Sequence, residues 1–206
     1  MFNGIIDFIS LLIYFKYIIS FNAFFSLIII KVSYLFLINF NIGCSFIING
    51  ICLTLIYKYY NFIELELSYE TLRICNIFFK YLNLEKSLLL FNNIDGHFIY
   101  GHVNVVLYLF YKSYFINNFY KNYFLFDNIY NIYIFYKYSI FINGISLTIN
   151  EIFFLNNFFI FCINLIKFTT SITNIVYYKL FDIVNIEFDL TIFFILKFLY
   201  INVYNI

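Results

Sequence analysis

The side chains in this 206-residue sequence that have chemistry to offer are few: two histidines, four cysteines and a small set of hydroxyl and carboxylate residues. Histidine exchanges a proton near neutral pH, which makes His102 a candidate general base. His97 lies five positions earlier, a poor spacing for two metal ligands on one helical face, so no metal site is expected and His97 reads as structural. Cys44, Cys52, Cys75 and Cys162 form no C-x-x-C pair and no framework spacing, as reduced thiols in a cytoplasm would. By itself Cys52 is a buried, inert thiol. Alongside Ser45 and Asp189 it offers polarisation of a substrate or transient addition to it, although an isolated Asp189 also reads as a solvated strand end.

Positioning such groups needs a scaffold, and the chain carries one twice. The segment Ser45-Phe-Ile-Ile-Asn-Gly-Ile-Cys-Leu-Thr-Leu55 returns 94 residues later as Ser139-Ile-Phe-Ile-Asn-Gly-Ile-Ser-Leu-Thr-Ile149. Thr71 to Asn76 matches Thr169 to Asn174 at 98 residues, and Asn83-Leu84-Glu85 matches Asn185-Ile186-Glu187 at 102. Collinear matches with a slowly growing offset indicate a duplicated domain, in which Glu85 and Glu187 read as structural. Asn49-Gly50 and Asn143-Gly144 between apolar runs signal tight hairpins, and Phe62 to Leu67 alternates as a half-buried strand does. The expected fold is all-β: two homologous six-stranded Greek-key barrels, residues 1–97 and 98–190. Closure hides sheet edges that so apolar a chain could ill expose. The apolar tail, residues 191–206, reads as a C-terminal helix serving oligomerisation.

Composition tests this reading hardest. Hydrophobic residues make up 64% and charged residues 11%, against roughly 45–50% and about 25% in ordinary globular chains. Yet there is no Pro or Trp, one alanine (Ala23) and one arginine (Arg73). A bilayer gives no reason to remove Pro and Ala, whereas A/T-rich coding accounts for both the surplus of Phe, Ile, Tyr, Asn and Lys and the losses. That bias inflates Ile and Asn matches by chance, so the Gly, Ser and Thr matches carry most of the weight in the repeat. The longest uncharged run, Val32 to Tyr57, contains Asn39, Asn41, Gly43, Asn49 and Gly50 and suits hairpins better than a membrane span. No secretory leader is expected, since Met1-Phe2-Asn3-Gly4 carries no basic region. A net charge of +1 leaves no footprint for nucleic acid.

Taken in order, these blocks resemble the α-type riboflavin synthase family. The resemblance rests on Met1-Phe2-Asn3-Gly4-Ile5, on Gly43-Cys44-Ser45 through Asn49-Gly50-Ile51-Cys52-Leu53-Thr54, and on Glu70-Thr71-Leu72-Arg73. It continues through Gly96-His97 with Gly101-His102-Val103, then Lys137, Gly144-Ile145-Ser146-Leu147-Thr148, and Asn185-Ile186-Glu187-Phe188-Asp189. It covers nearly the whole chain. The departures are Asn3 for Thr, Tyr138 for Gly, Lys167 for Pro and Asn104 for Asp.

The resemblance implies an enzyme, a transferase in the final step of riboflavin biosynthesis (EC 2.5.1.9). It would dismutate two molecules of 6,7-dimethyl-8-ribityllumazine into riboflavin and 5-amino-6-(D-ribitylamino)uracil, without a cofactor. It further implies a homotrimer, with each site between the first barrel of one subunit and the second barrel of its neighbour, and leaves room for association with lumazine synthase. Catalytic groups would be His102, Cys52, Ser45 and Asp189. The substrate would meet Phe2 and, on the first-barrel side, Gly4, Ile5, Ile6, Cys52, Leu53 and Thr54. The stretch Glu66, Leu67, Ser68, Tyr69, Glu70 and Thr71 joins them, with Gly101, His102 and Val103. The second barrel would contribute Lys137, Ser146, Leu147 and Thr148, then Ile166, Lys167, Phe168, Thr169, Thr170 and Ser171. Two rivals stand beside this: a noncatalytic lumazine or flavin carrier of the same fold, and an integral membrane protein.

Overall fold

Asn49 and Gly50 take positive φ (46° and 81°), and Asn143 and Gly144 do the same (46° and 80°), the backbone demanded at both central positions of the commonest two-residue hairpin. These turns set the register of the strands around them. The computed structural model describes residues 1–20, 23–38, 40–89, 93–115 and 119–204. Its first half runs β1 (Phe8–Ser20), β2 (Ala23–Lys31), a short helix α1 (Tyr34–Leu37), β3 (Ser45–Ile48), β4 (Ile51–Tyr59), β5 (Phe62–Ser68), α2 (Tyr69–Ile74) and β6 (Tyr81–Lys86). The second half runs β7 (Val105–Phe115), β8 (Phe119–Asp127), β9 (Ser139–Ile142), β10 (Ile145–Leu155), β11 (Phe158–Leu165), α3 (Lys167–Ile172) and β12 (Ile183–Phe188), and ends in α4 (Leu190–Tyr204).

Each set closes into a six-stranded antiparallel barrel, and the two rings have the same order once β7–β12 are matched to β1–β6: β1-β2-β5-β4-β3-β6 and β7-β8-β11-β10-β9-β12. The register shifts also correspond, at Leu12/Tyr14 and Leu109/Tyr111 and at Leu55/Tyr57 and Ile149/Glu151. Such bulges bend and twist strands, as closing a small barrel requires. Part of the growing offset of the repeat has a structural cause: β10 has 11 residues where β4 has 9. The fillings differ although the topology does not. Ile28, Ile30, Leu55, Ile63 and Leu65 fill the first barrel, whereas Phe124, Phe126, Phe159 and Phe161 stack inside the second, the Phe126–Phe159 pair at 5.2 Å.

The barrels meet about an approximate local twofold axis, and many of the contacts across it come in pairs. Phe2 and Ile99 exchange backbone hydrogen bonds (2.9 and 3.1 Å) and are buried with Ile47 and Phe141. Beside them six asparagines interlock. Asn83 Nδ2 donates to the Asn143 carbonyl at 3.0 Å, and Asn185 Nδ2 donates to that of Asn49 at 2.9 Å. The Asn174 amide donates to Asn83 Oδ1 and the Asn76 amide to Asn185 Oδ1, both at 2.7 Å. Within each barrel Asn49 Oδ1 accepts from the Asn83 amide and Asn143 Oδ1 from the Asn185 amide, both at 2.8 Å. The pairing is incomplete: Asn174 Nδ2 also donates to Asn49 Oδ1 at 3.0 Å and Asn185 Nδ2 to the Asn76 carbonyl at 2.8 Å, and Asn143 Nδ2 donates to the buried Tyr178 hydroxyl while Asn49 Nδ2 has no partner among the described residues.

Helix α4 leaves Phe194, Ile195, Phe198 and Leu199 exposed. Among the described residues no helix is long and apolar enough to cross a membrane.

Candidate functional site

Alternation along β4 decides which side chains of the repeated block face outward. Leu53 is buried in the barrel, leaving half-buried Cys52 and exposed Thr54 outside; β10 treats Leu147, Ser146 and Thr148 alike. Ser45 sits across from Thr54 in the β3–β4 ladder, near enough for its hydroxyl to act on the Cys52 thiol. Burial pushes that thiol up, the Ser45 hydroxyl and the amino-terminal charge draw it back, and the charge of Glu187 adds to the rise. Cys52 therefore presents a thiol rather than a thiolate near neutral pH.

Against each of these strands lies a glycine from a segment outside the barrels. Gly101 (φ +77°) is so close to Cys52 that a Cβ there would sit 2.6 Å from both the Cys52 Cβ and its amide nitrogen. Its carbonyl accepts the Cys52 amide at 3.0 Å, which brings exposed His102 beside the outer face of β4. At the equivalent place on the second barrel, the Gly4 carbonyl accepts the Ser146 amide at 2.8 Å. His97 Nδ1 stands 3.0 Å from Ser146 Oγ, so this histidine, which the sequence marked only as structural, lies beside a predicted ligand-contact residue.

Two buried carboxylates hold the glycine segments. Glu187 accepts the amides of Tyr100, Gly101 and His102 at 2.8–3.0 Å. Glu85 accepts those of Asn3 at 2.5 Å and Gly4 at 3.0 Å. Burial drives Glu85 up to about 8 despite these donors, and Glu187 moves in the same direction for the same reason. The fold thus favours their protonated forms: the contribution is whole below the ordinary value of 4.5 and is lost as pH rises through about 8. Each tenfold gain in proton affinity on folding is worth about 1.4 kcal/mol, so a loss of a few kcal/mol is expected between pH 5 and 9. Urea midpoints across that range should fall, and Glu85→Gln should flatten the decline; an unchanged slope in that variant would contradict the assignment.

The remaining predicted residues divide. Glu66, Leu67, Ser68, Tyr69, Glu70 and Thr71 form the end of β5 and the start of α2, where Ser68 Oγ caps the Thr71 amide at 3.2 Å. Ile166, Lys167, Phe168, Thr169, Thr170 and Ser171 form the equivalent corner at α3, whose capping position, Ile166, carries no side-chain cap. Lys137 precedes β9 with φ 66°. Asp189 is engaged at the start of α4, where its Oδ1 accepts from the Thr191 amide and hydroxyl (2.9 and 2.8 Å). Asn104, in place of the expected Asp, accepts the Phe188 amide at 2.8 Å.

Three expectations change. Phe2, expected to touch substrate, is 1% exposed on the axis between barrels. Gly4 and Ile6, expected to serve the first barrel, belong to the second: Gly4 abuts Ser146, and Ile6 joins the core containing Phe124 and Phe161. The physical cause is that the amino-terminal segment crosses the axis before β1 begins. An open cleft of about 400 Å³ between the barrels, lined by Asn76, Phe79, Tyr81, Tyr177 and Tyr178 among others, contains no predicted site residue.

Comparison with known proteins adds to the geometry. The family model described as Lumazine binding domain matches residues 112–189. Riboflavin synthase of Buchnera aphidicola subsp. Schizaphis graminum is 35% identical over 146 residues, 68% of each chain. That of Escherichia coli (strain K12) is 33% identical over 145 residues, 68% of this chain and 66% of the relative. Among solved structures, LumP complexed with riboflavin superimposes with TM-score 0.77 at 20% identity, covering 91% of this chain and 99% of LumP. LumP complexed with 6,7-dimethyl-8-(1'-D-ribityl) lumazine gives 0.75 at 18%, covering 91% and 98%. At those identities the two structures speak to fold alone.

Proposed function

This chain belongs to the riboflavin synthase family, and from that premise we propose that it dismutates two molecules of 6,7-dimethyl-8-ribityllumazine to riboflavin and 5-amino-6-(D-ribitylamino)uracil. The observation that carries the proposal is the doubling of the site. Both barrels keep the Asn-Gly-x-(Cys/Ser)-Leu-Thr strand, with Cys52 and Thr54 or Ser146 and Thr148 outward, and each faces a glycine carbonyl. Two like strand faces, each with a glycine segment against it, suit two identical substrates.

One lumazine gives up a four-carbon unit and the other receives it, so atoms and electrons balance between two copies of one compound. The 7-methyl group of the lumazine is acidic because its carbanion delocalises into the ring. The protein's task is then chiefly to hold two flat heterocycles face to face, which makes a bimolecular step effectively intramolecular. His102 accepts or returns the proton, and Ser45 with Cys52 polarises the ring from the same face. Backbone groups along β4 and β10 read the edge of the heterocycle, while Lys137 and the hydroxyls at the α2 and α3 corners hold the ribityl chains. Asp189, Thr169, Thr170 and Ser171 act from the second barrel of a neighbouring subunit.

The assembly is a homotrimer, in which first and second barrels of adjacent subunits close around the paired substrates. The exposed apolar side chains of α4 support that, since so large an apolar surface on a 15-residue helix asks for cover.

Purified chain incubated with the lumazine should develop riboflavin fluorescence. His102→Gln, Cys52→Ala and Ser45→Ala are each expected to slow it by about tenfold or more, the scale of a lost acid–base or polarising group. Tight lumazine binding with no turnover in the parent would establish a carrier instead.

A further inference from the structure

We propose that Glu85 and Glu187 are positioning residues that act crosswise, each carboxylate rooted in one barrel and setting the pocket of the other. The connections are direct. Glu187 belongs to β12 of the second barrel, yet the amides it holds are those of Tyr100, Gly101 and His102, and the Gly101 carbonyl is bonded to Cys52 on the first. Glu85 belongs to β6 of the first barrel and holds Asn3 and Gly4, whose carbonyl at Gly4 is bonded to Ser146 on the second. Neither carboxylate has a lysine or arginine partner among the described residues; backbone amides take that place. A buried acceptor of two or three amides fixes a segment in direction as well as position. No side chain of the segment's own could do so at a glycine.

The arrangement makes the pockets interdependent within one chain. A barrel excised from its partner would keep its Asn-Gly strand but lose the facing glycine together with the carboxylate that holds it, and the first would also lose His102. The groups facing Cys52 are Ser45, Glu187 and the amino terminus, so Glu187 also lies within electrostatic reach of the pocket it orders.

The inference rests on the lumazine-binding reading of the two pockets, and the test separates them. Cys52 reports on the first pocket. Ser146→Cys places an equivalent thiol in the second, and this variant serves as the parent. Alkylation by iodoacetamide, scored residue by residue by mass spectrometry, is followed with and without lumazine. Glu187→Ala should speed alkylation at Cys52 by about fivefold or more and raise the lumazine concentration that protects it by about tenfold, leaving the thiol at 146 within about twofold. Glu85→Ala should do the reverse. Glutamine at either position keeps an acceptor and should restore most of the protection, which a general loss of folding would not allow. Should an alanine variant fail to fold, the aspartate variants, one methylene short, are read in the same way. Equal effects of both variants on both thiols, or effects confined to the carboxylate's own barrel, overturn the proposal. If lumazine protects neither thiol in the parent, the binding reading falls, and the ligand-free alkylation rates still decide the crossing.

Discussion

Replacing Asn83 with alanine is expected to destabilise the chain by about 4 kcal/mol, because two buried groups lose their partners at roughly 1–3 kcal/mol each. Those groups are the Asn143 carbonyl, which accepts from Asn83 Nδ2, and the Asn174 amide, which donates to Asn83 Oδ1. Both lie in the second barrel, so the loss falls on the joint between barrels. Asn185→Ala should cost at least as much, since the Asn49 carbonyl, the Asn76 carbonyl and the Asn76 amide all lose its side chain. Exposed Asn41, whose side chain enters none of these bonds, is the control and should change stability by no more than about 0.5 kcal/mol. Urea unfolding followed by far-ultraviolet circular dichroism measures all three. Equal midpoints for the Asn83 and Asn41 variants would show that the asparagine lattice does not hold the barrels together.

The second large effect is expected at Gly101. Alanine there must accept φ +77° and must also place its Cβ 2.6 Å from Cys52. Since the obstructing atoms are the Cβ and backbone of a strand, the segment has to withdraw and take His102 with it. A displacement of about 1 Å at a reacting group costs on the order of a hundredfold in rate, and that is the expected fall in riboflavin formation. Gly43→Ala separates strain from crowding, because Gly43 has φ +92° but nothing within 4 Å of its missing Cβ. It should lose about 1 kcal/mol of stability to the left-handed backbone and keep its rate. Comparable rates in both variants would mean that the approach of Gly101 to Cys52 does not govern the site.

Much of this was legible in the residues. Asn-Gly pairs between apolar runs specified the two hairpins because only a positive-φ pair closes so short a turn, and the duplicated blocks specified two barrels of one topology. The repeated asparagines were harder to read. In a chain whose coding favours Asn, a match at Asn76 and Asn174, or at Asn83 and Asn185, carried little weight, yet these are the residues that join the barrels. Their importance comes from burial and reciprocal bonding, neither of which has a local signature. Glu85 and Glu187 were visible as equivalent carboxylates, but what they hold was not.

What the sequence determined by itself was local and periodic: turn chemistry, strand alternation that turns Cys52 and Ser146 outward, and the duplication. The tertiary structure decided which segments cross between the halves, because crossing is fixed by contacts among residues some 80 to 100 positions apart. It moved Gly4 and Ile6 to the second barrel, closed Phe2 into the axis, and brought His97 to Ser146. Hydrogen bonds between distant backbone segments depend on where whole barrels come to rest, and no run of neighbouring residues encodes that.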